Sequence, residues 1–370
     1  MKLGSLFDGS GGFPLGGIIA GMSPVWSSEI EPFPIRVTEK RLPSVKHYGD
    51  VSKLNGADLE PVDIITFGSP CQDMSVAGKR AGLDGARSGL FFQAVRIIKE
   101  MRAKYGRPRF AVWENVRGAL SSAGGEDFRR VLEELCRVKD DAVDVPRPPK
   151  GKWQSAGCVM GDGYSIAWRV LDAQYWGVPQ RRKRIYLVAD FDGDSAGKIL
   201  FESEGVSGHS AKMQAARKDF ARTAQNGAGE TGRGKVYLMS KSYHFAHATP
   251  DQADALAATD YKCPPVVNAD WRVRMITPLE CARLQGFPDW WTDGLTDSEP
   301  SDAEVRKWQG IFDEYCDING KKRKTASQVR KWLMTEPTDA AKYKMWGNGV
   351  ALPCVVFVLA GIVWAAGEDL

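Results

Sequence analysis

Short apolar runs alternate with longer amphipathic stretches through the first half of the chain. "KLGSLF", "PVWSSEI", "DIITFG", "RFAVWEN" and "RIYLVAD" predict strands, since each is brief, apolar and closed by polar or turn-forming residues. Between them lie segments such as "GLFFQAVRIIKEMRAKYG", residues 89–106, with apolar positions at helical spacing. Such alternation predicts a parallel sheet with helices on both faces. After residue 190 the pattern decays. Residues 191–235 are rich in Gly, Ser, Lys, Glu and Ala, and residues 236–275 carry turn signals, aromatics and short strand-like pieces. Residues 292–340 are polar and charged and include "GKKRKTASQVRKW". An apolar helix after residue 349 reads as a return to the first domain. The expected architecture is a large α/β domain, 1–190 and 341–370, with a smaller irregular domain over 191–291 and an inserted segment over 292–340 that packs with it. No internal repeat is evident.

Composition adds bounds. The chain has 370 residues, 43% hydrophobic and 26% charged, enough for one large domain or two. A net charge of +4 fits nucleic-acid contact without requiring it. The 7 cysteines form no Cys-x-x-Cys pair and the 4 histidines complete no zinc pattern, so no metal is expected. "MKLGSLFDGSGG" lacks the apolar core of a signal peptide, and the apolar tail, interrupted by Pro353, reads as a buried helix rather than a membrane anchor. A reducing cytoplasm is the expected compartment.

Four stretches carry candidate chemistry. In "SLFDGSGGFPLGGIIAG", residues 5–21, a strand enters a turn with Gly9, Gly11 and Gly12 and then a helix. Such a turn lets a ligand approach the backbone, with free N–H groups at the helix start. About twenty residues on, "SSEIE" ends the next strand with an acid suited to a ribose diol. A dinucleotide or an adenosyl group would fit. The spacing is not Gly-x-Gly-x-x-Gly, and Asp8 would repel a pyrophosphate but not a cationic sulfonium. In "DIITFGSPCQDMS", Cys71 follows a strand end, where ligands of open α/β sheets bind. Core filler, metal ligand, redox centre and nucleophile are its possible roles. "RFAVWENVRG" brings Glu114 and Asn115 to the same kind of edge. In "GVPQRRKRIYLVA", Gln180, Arg182 and Arg184 alternate into a strand, so their side chains share one face.

With "TPLECARLQGFP" (277–288) and "WGNGVALP" (346–353), these motifs stand in the order and spacing of one family. The chain resembles the DNA (cytosine-5)-methyltransferases over residues 3–190, 272–291 and 344–363. The resemblance implies a Rossmann-like, S-adenosylmethionine-dependent methyltransferase fold with a mostly parallel sheet, plus a target-recognition domain over 191–291. It implies Cys71 as the nucleophile that adds to cytosine carbon 6. Glu114 would be the acid near N3, Arg184 the cation near O2, and Arg182 a residue ordering the same face. For S-adenosylmethionine, and its product S-adenosylhomocysteine, it implies Phe7, Gly9, Gly11, Gly12, Glu29, Ile30, Asp50, Val51, Pro70, Leu90, Asn348 and Val350. Ser5 replaces an acid common in the family, Ile30 an aromatic, and Gly349 a frequent serine. The stretch 74–92 matches a mobile catalytic loop whose Lys79, Arg80 and Arg87 suit phosphates. Gln72, Ser75, Arg117 and Gln180 are further expected DNA contacts. Tyr243, Tyr261 and Lys262 belong to the pieces expected to read bases or grip phosphates. The basic part of 292–340 reads as a DNA contact or, preferably, a solvated helical excursion. The implied substrate is cytosine flipped out of duplex DNA. Monomeric, cytoplasmic and nucleoid-associated action, in a bacterium or phage, with or without a paired restriction endonuclease, is expected. The rivals are a tRNA cytosine-5 methyltransferase and an inactive DNA-binding relative.

Overall fold

A computed structural model describes residues 1–69, 89–201, 237–239, 248–250, 253–256, 266–269 and 272–368. Along the central strands the side chains sort by parity, as the two-residue period of a strand requires. In β5 (Phe110–Val116), Ala111 and Trp113 join one core while Phe110 and Val112 join another. In β9 (Lys183–Asp190), Ile185 and Leu187 face the first core, and Tyr186 and Val188 the second. Burial on both faces explains why these strands read as continuous apolar runs.

The sheet also contains β1 (Lys2–Leu6), β2 (Ser23–Ser28), β3 (Lys46–Tyr48), β4 (Ile64–Phe67), β6 (Ala156–Gly161) and β7 (Tyr164–Asp172). Its order is β3-β2-β1-β4-β5-β9-β7-β6. Strands β1 to β5 pair in parallel. β9 does not: it runs antiparallel to both β5 and β7, and β6 is antiparallel to β7. This corrects the reading of "RIYLVAD" as one more parallel strand. The link from β7 to β9 is too short for the crossover that a parallel partner needs. The hairpin β6–β7 and the edge strand β3 escaped the sequence reading.

Helices cover both faces. On one lie α1 (Gly12–Ile19) and the last helix, α10 (Leu352–Glu368); on the other lie α3 (Gly89–Tyr105) and α4 (Glu126–Cys136). Val355, Val358, Leu359 and Ile362 of α10 are fully buried against the sheet. Among the described residues no single helix is long and apolar enough to cross a membrane.

In the smaller domain, β10 (Tyr237–Met239), β11 (Ala248–Pro250), β13 (Val266–Ala269) and β14 (Arg272–Met275) form one antiparallel sheet. The short strand β12 (Ala253–Asp254) pairs with β8 (Gln180–Arg181), tying this domain to the entry of β9. Helix α6 (Pro278–Leu284) starts on a capping box in which Thr277 and Glu280 satisfy each other's backbone N–H.

Residues 292–340 hold two helices, α7 (Asp302–Ile318) and α8 (Ala326–Met334). Their apolar side chains Val305, Trp308, Phe312, Val329 and Leu333 close on Ile35 of α2 (Pro32–Arg41). Buried Arg36 donates to the carbonyls of Leu295, Trp332, Leu333 and Thr335. These contacts run to the large domain, while Leu295 of the same segment shares a core cluster with Ile276, Leu284, Phe287 and Trp291 of the smaller one. Acidic residues outnumber basic ones in this segment, and much of its basic charge is paired: Arg323 with Asp317, Arg330 with Asp302, and Lys307 with Glu39 of α2.

Candidate active site

The chain runs outward from β1 through β2 to β3, then returns to β4 on the other side of β1. The crevice between the carboxyl ends of β1 and β4 is therefore the topological switch point, where such sheets bind ligands. The glycine-rich turn leaves β1 there, and Gly68 and Ser69 leave β4 there.

In the turn after β1, Phe7, Gly9 and Gly11 take positive φ of 55°, 54° and 80°. Such angles cost little for glycine and strain Phe7. Close approach fixes Gly12, because a β-carbon there would lie 2.3 Å from Val350 Cγ2. The turn is braced from outside: Trp291 Nε1 donates to the Ser10 carbonyl at 2.8 Å. Glu29, just after β2, accepts from the N–H groups of Gly9, Ile30 and Glu31 at 2.8–2.9 Å. Burial nevertheless pushes its carboxyl up. Asp50 caps the turn Val51–Lys53 by accepting from Ser52, and Val51 is buried. Leu90, at the start of α3, is half-buried on the core. Asn348 is exposed and Val350 buried at the turn between α9 (Asp339–Asn348) and α10. Gly349 has a local reason: a β-carbon there would lie 2.8 Å from Ser10 Oγ.

The second wall comes from β5 and β9. Glu114 is nearly buried, and Arg184 Nε lies 3.3 Å from its Oε1. The antiparallel course of β9 creates this pairing: its first residues lie at the edge where β5 ends, with Val116 opposite Arg184 and Tyr186 opposite Glu114. A methyl group on Gly68 would sit 3.6 Å from Glu114 Oε2, so this carboxyl stands beside the exit of β4. Burial pushes the Glu114 carboxyl up, and Arg184, then Arg182, pull it partly back. Asn115 Nδ2 donates to the Ser69 carbonyl at 3.0 Å, and Trp113 Nε1 to Ser69 Oγ at 3.2 Å. Ser69, which the sequence reading passed over, thus joins the two strand ends.

Arg182 and Arg184 divide in depth. Arg182, 2% exposed, donates to the carbonyls of Leu256, Gly347 and Gly349 at 2.8, 3.2 and 2.6 Å. It ties the smaller domain and the α9–α10 turn to β9, and desolvation lowers its pKa to about 10. Gln180 is fully buried, and among the described residues neither its amide atoms nor the buried Tyr186 hydroxyl has a partner. Arg117 is exposed just beyond β5. Pro70, Cys71, Gln72, Ser75, Lys79, Arg80, Arg87, Tyr243, Tyr261 and Lys262 lie outside the described residues. Among the described residues, no group of three or more His, Cys, Asp or Glu could hold a metal ion.

The first wall fits an adenosyl ligand that carries positive charge. Glu29 stands at the end of β2, where a ribose diol would bind, and the buried Asp8 carboxyl suits a cation better than a phosphate. The second wall offers an acid with raised affinity for its proton beside a guanidinium.

The family model for C-5 cytosine-specific DNA methylases matches residues 1–138, 159–202 and 195–306. The chain is 28% identical over 91% of its length to a DNA N-6-adenine-methyltransferase of Escherichia phage P1, of which it spans 58%. It is 32% identical over 76% of its length to the type II methyltransferase M.BsuFI of Bacillus subtilis, of which it spans 63%. The chain thus spans less than two thirds of either relative. Among solved structures, the S. pombe Dnmt2 methyltransferase shares the fold, with a TM-score of 0.60 at 17% identity over 99% of both chains.

Proposed function

The chain belongs to the C-5 cytosine-specific DNA methylase family, and on that premise we propose that it transfers a methyl group from S-adenosylmethionine to carbon 5 of a cytosine flipped out of duplex DNA. The observation that carries the reading is the Glu114–Arg184 pair beside Gly68, three residues before Cys71. Carbon 5 of cytosine is a weak nucleophile. Addition of the Cys71 thiolate at carbon 6 makes carbon 5 electron-rich and puts negative charge on the ring. A protonated Glu114 donates to N3 and offsets that charge, and burial, which raises its pKa, favours the protonated form. Arg184 holds Glu114 and contacts O2. Once carbon 5 carries the methyl group, its proton passes to water, and the elimination expels Cys71 as thiolate and restores the aromatic ring.

When bound, S-adenosylmethionine supplies a methyl group on a sulfonium. Glu29 would take the ribose hydroxyls, Asp50 and Val51 the adenine, and the turn Phe7–Gly12 with Asn348 and Val350 the amino-acid end. Ile30, Pro70 and Leu90 would line the same space. Arg182 serves by holding the smaller domain on the β9 entry. Lys79, Arg80, Arg87, Arg117, Gln72, Ser75, Tyr243, Tyr261 and Lys262 would face DNA, whereas Gln180, expected as a DNA contact, is fully buried at the entry of β9.

The adenine activity in the name of the phage relative belongs to a protein of which this chain spans 58%. Methylation of an exocyclic amine needs no thiol adduct, so the Cys71, Glu114 and Arg184 set favours carbon-5 chemistry. The test is methyl transfer to duplex DNA and to tRNA, with bisulfite mapping of the product. Duplex labelling at cytosine, lost in Cys71→Ser, is expected, with a covalent adduct on DNA containing 5-fluorocytosine. Labelling of tRNA alone, or of adenine, overturns the reading.

A further inference from the structure

Asp8 follows β1 inside the switch-point turn and is 6% exposed. Ser5 Oγ donates to its Oδ1 at 2.7 Å, while its buried Oδ2 has no partner among the described residues. Burial without a counter-ion is costly for a carboxylate. The charged side chain acting on Asp8 is another acid, Glu29 at the end of β2; from β1 only the Ser5 hydroxyl acts on it. Glu29 is itself covered by three N–H groups, so Asp8 is the acid left half-bare. At the start of α1, Gly11 N–H donates to the Asp8 carbonyl and not to its carboxylate.

We infer that Asp8 is the counter-charge to the methyl-bearing cation of the cofactor, and that it makes the site prefer the charged methyl donor over its neutral transfer product. The inference rests on the proposed cofactor. Donor and product differ at one centre, a sulfonium in one and a thioether in the other. A carboxylate in a low-dielectric pocket acts on that difference at a distance, so contact is not required. The donor therefore favours ionised Asp8, and the product does so far less. In the free protein burial raises the Asp8 pKa to about 7. Donor binding is thus linked to proton release across neutrality. The device also counters product inhibition, since the attraction vanishes when the methyl group leaves.

The test is calorimetric titration of the full chain with S-adenosylmethionine and with S-adenosylhomocysteine at pH 6, 7 and 8. In the wild type, the preference for the donor should rise with pH by about tenfold, the scale of one charge interaction in a protein interior. Asp8→Asn should retain product binding, bind the donor about tenfold more weakly at pH 8, and lose the pH trend. Ser5→Ala removes a hydrogen bond to the ionised form and should move the trend to higher pH. A wild-type donor-to-product ratio that is flat with pH, or one that Asp8→Asn leaves unchanged, overturns the inference. If Asp8→Asn binds neither ligand, the wild-type trend and its displacement in Ser5→Ala decide. Binding of neither ligand by the wild type overturns the proposed function instead.

Discussion

Replacing Glu114 with Gln removes one proton and one charge while keeping the shape. The ionised pair with Arg184, at 3.3 Å, is worth about 5 kcal/mol of Coulomb attraction at an effective dielectric of about 20. Desolvation of the nearly buried carboxylate outweighs that attraction, which is why the carboxyl is raised. Glu114→Gln should therefore change stability by only about 1–2 kcal/mol. Because the folded carboxyl is raised, the wild type gains stability from its protonation at low pH and loses that gain as pH rises through the folded pKa. The variant should thus be nearest to wild type in stability at acid pH and gain on it as pH rises through the folded pKa. Its catalytic loss should be far larger, about 10²–10⁴-fold in turnover, the usual yield of a positioned acid. S-adenosylhomocysteine affinity should stay within about threefold, a difference worth under 1 kcal/mol, because Glu114 stands on the wall opposite the glycine turn. The assay is single-turnover methyl transfer to duplex DNA across pH 6–9, beside thermal melts. In the wild type the rate should fall on the alkaline side of the raised Glu114 pKa, and in the variant that limb should disappear. Turnover within tenfold of wild type, or an alkaline limb that survives in the variant, refutes the acid role.

Two further outcomes follow from buried arginines. Arg36→Leu strands the carbonyls of Leu295, Trp332, Leu333 and Thr335 and should cost about 3–5 kcal/mol, read as a lower unfolding midpoint in urea with protease cleavage within 292–340. Arg182→Leu should cost a similar amount by freeing three carbonyls, with loss of DNA affinity; a variant that melts like wild type yet cannot turn over would make Arg182 a catalytic group instead.

The strand positions were legible because both faces are buried, which leaves short apolar runs with sharp ends. The hairpin β6–β7 was not, since β6 alternates exposed and half-buried residues at the sheet edge and so lacks such a run. Its turn "GDG" was the available signal. The direction of β9 leaves no mark in its own residues. It could have been read from the short link before it. The helices of 292–340 announce themselves through Ser301-x-x-Glu304 and Thr325-x-x-Gln328, both capping boxes. Their partner was invisible, because Arg36 lies in a Pro-Phe-Pro-Ile-Arg stretch that gives no hint of a guanidinium turned onto distant carbonyls. In the run "GKKRKT", Arg323 closes on Asp317 and Lys321 on the Tyr315 hydroxyl, pairings that the local charge count does not disclose.

The alternate arginines show why a motif names residues more surely than roles. In sequence Arg182 and Arg184 are equivalent members of one face. In the fold three carbonyls claim Arg182, and its charge is spread among dipoles. Arg184, one step further along β9, is paired with Glu114 at the edge of the crevice. The same antiparallel turn that defeats the parallel reading produces this division. It carries the start of β9 to the carboxyl edge, where the first arginine anchors the smaller domain and the second meets the acid. Had β9 run parallel, its arginines would have entered at the opposite edge, away from Glu114 and the exit of β4. Strand direction, rather than the spacing of the arginines, therefore lets one motif both fasten the smaller domain and polarise the site.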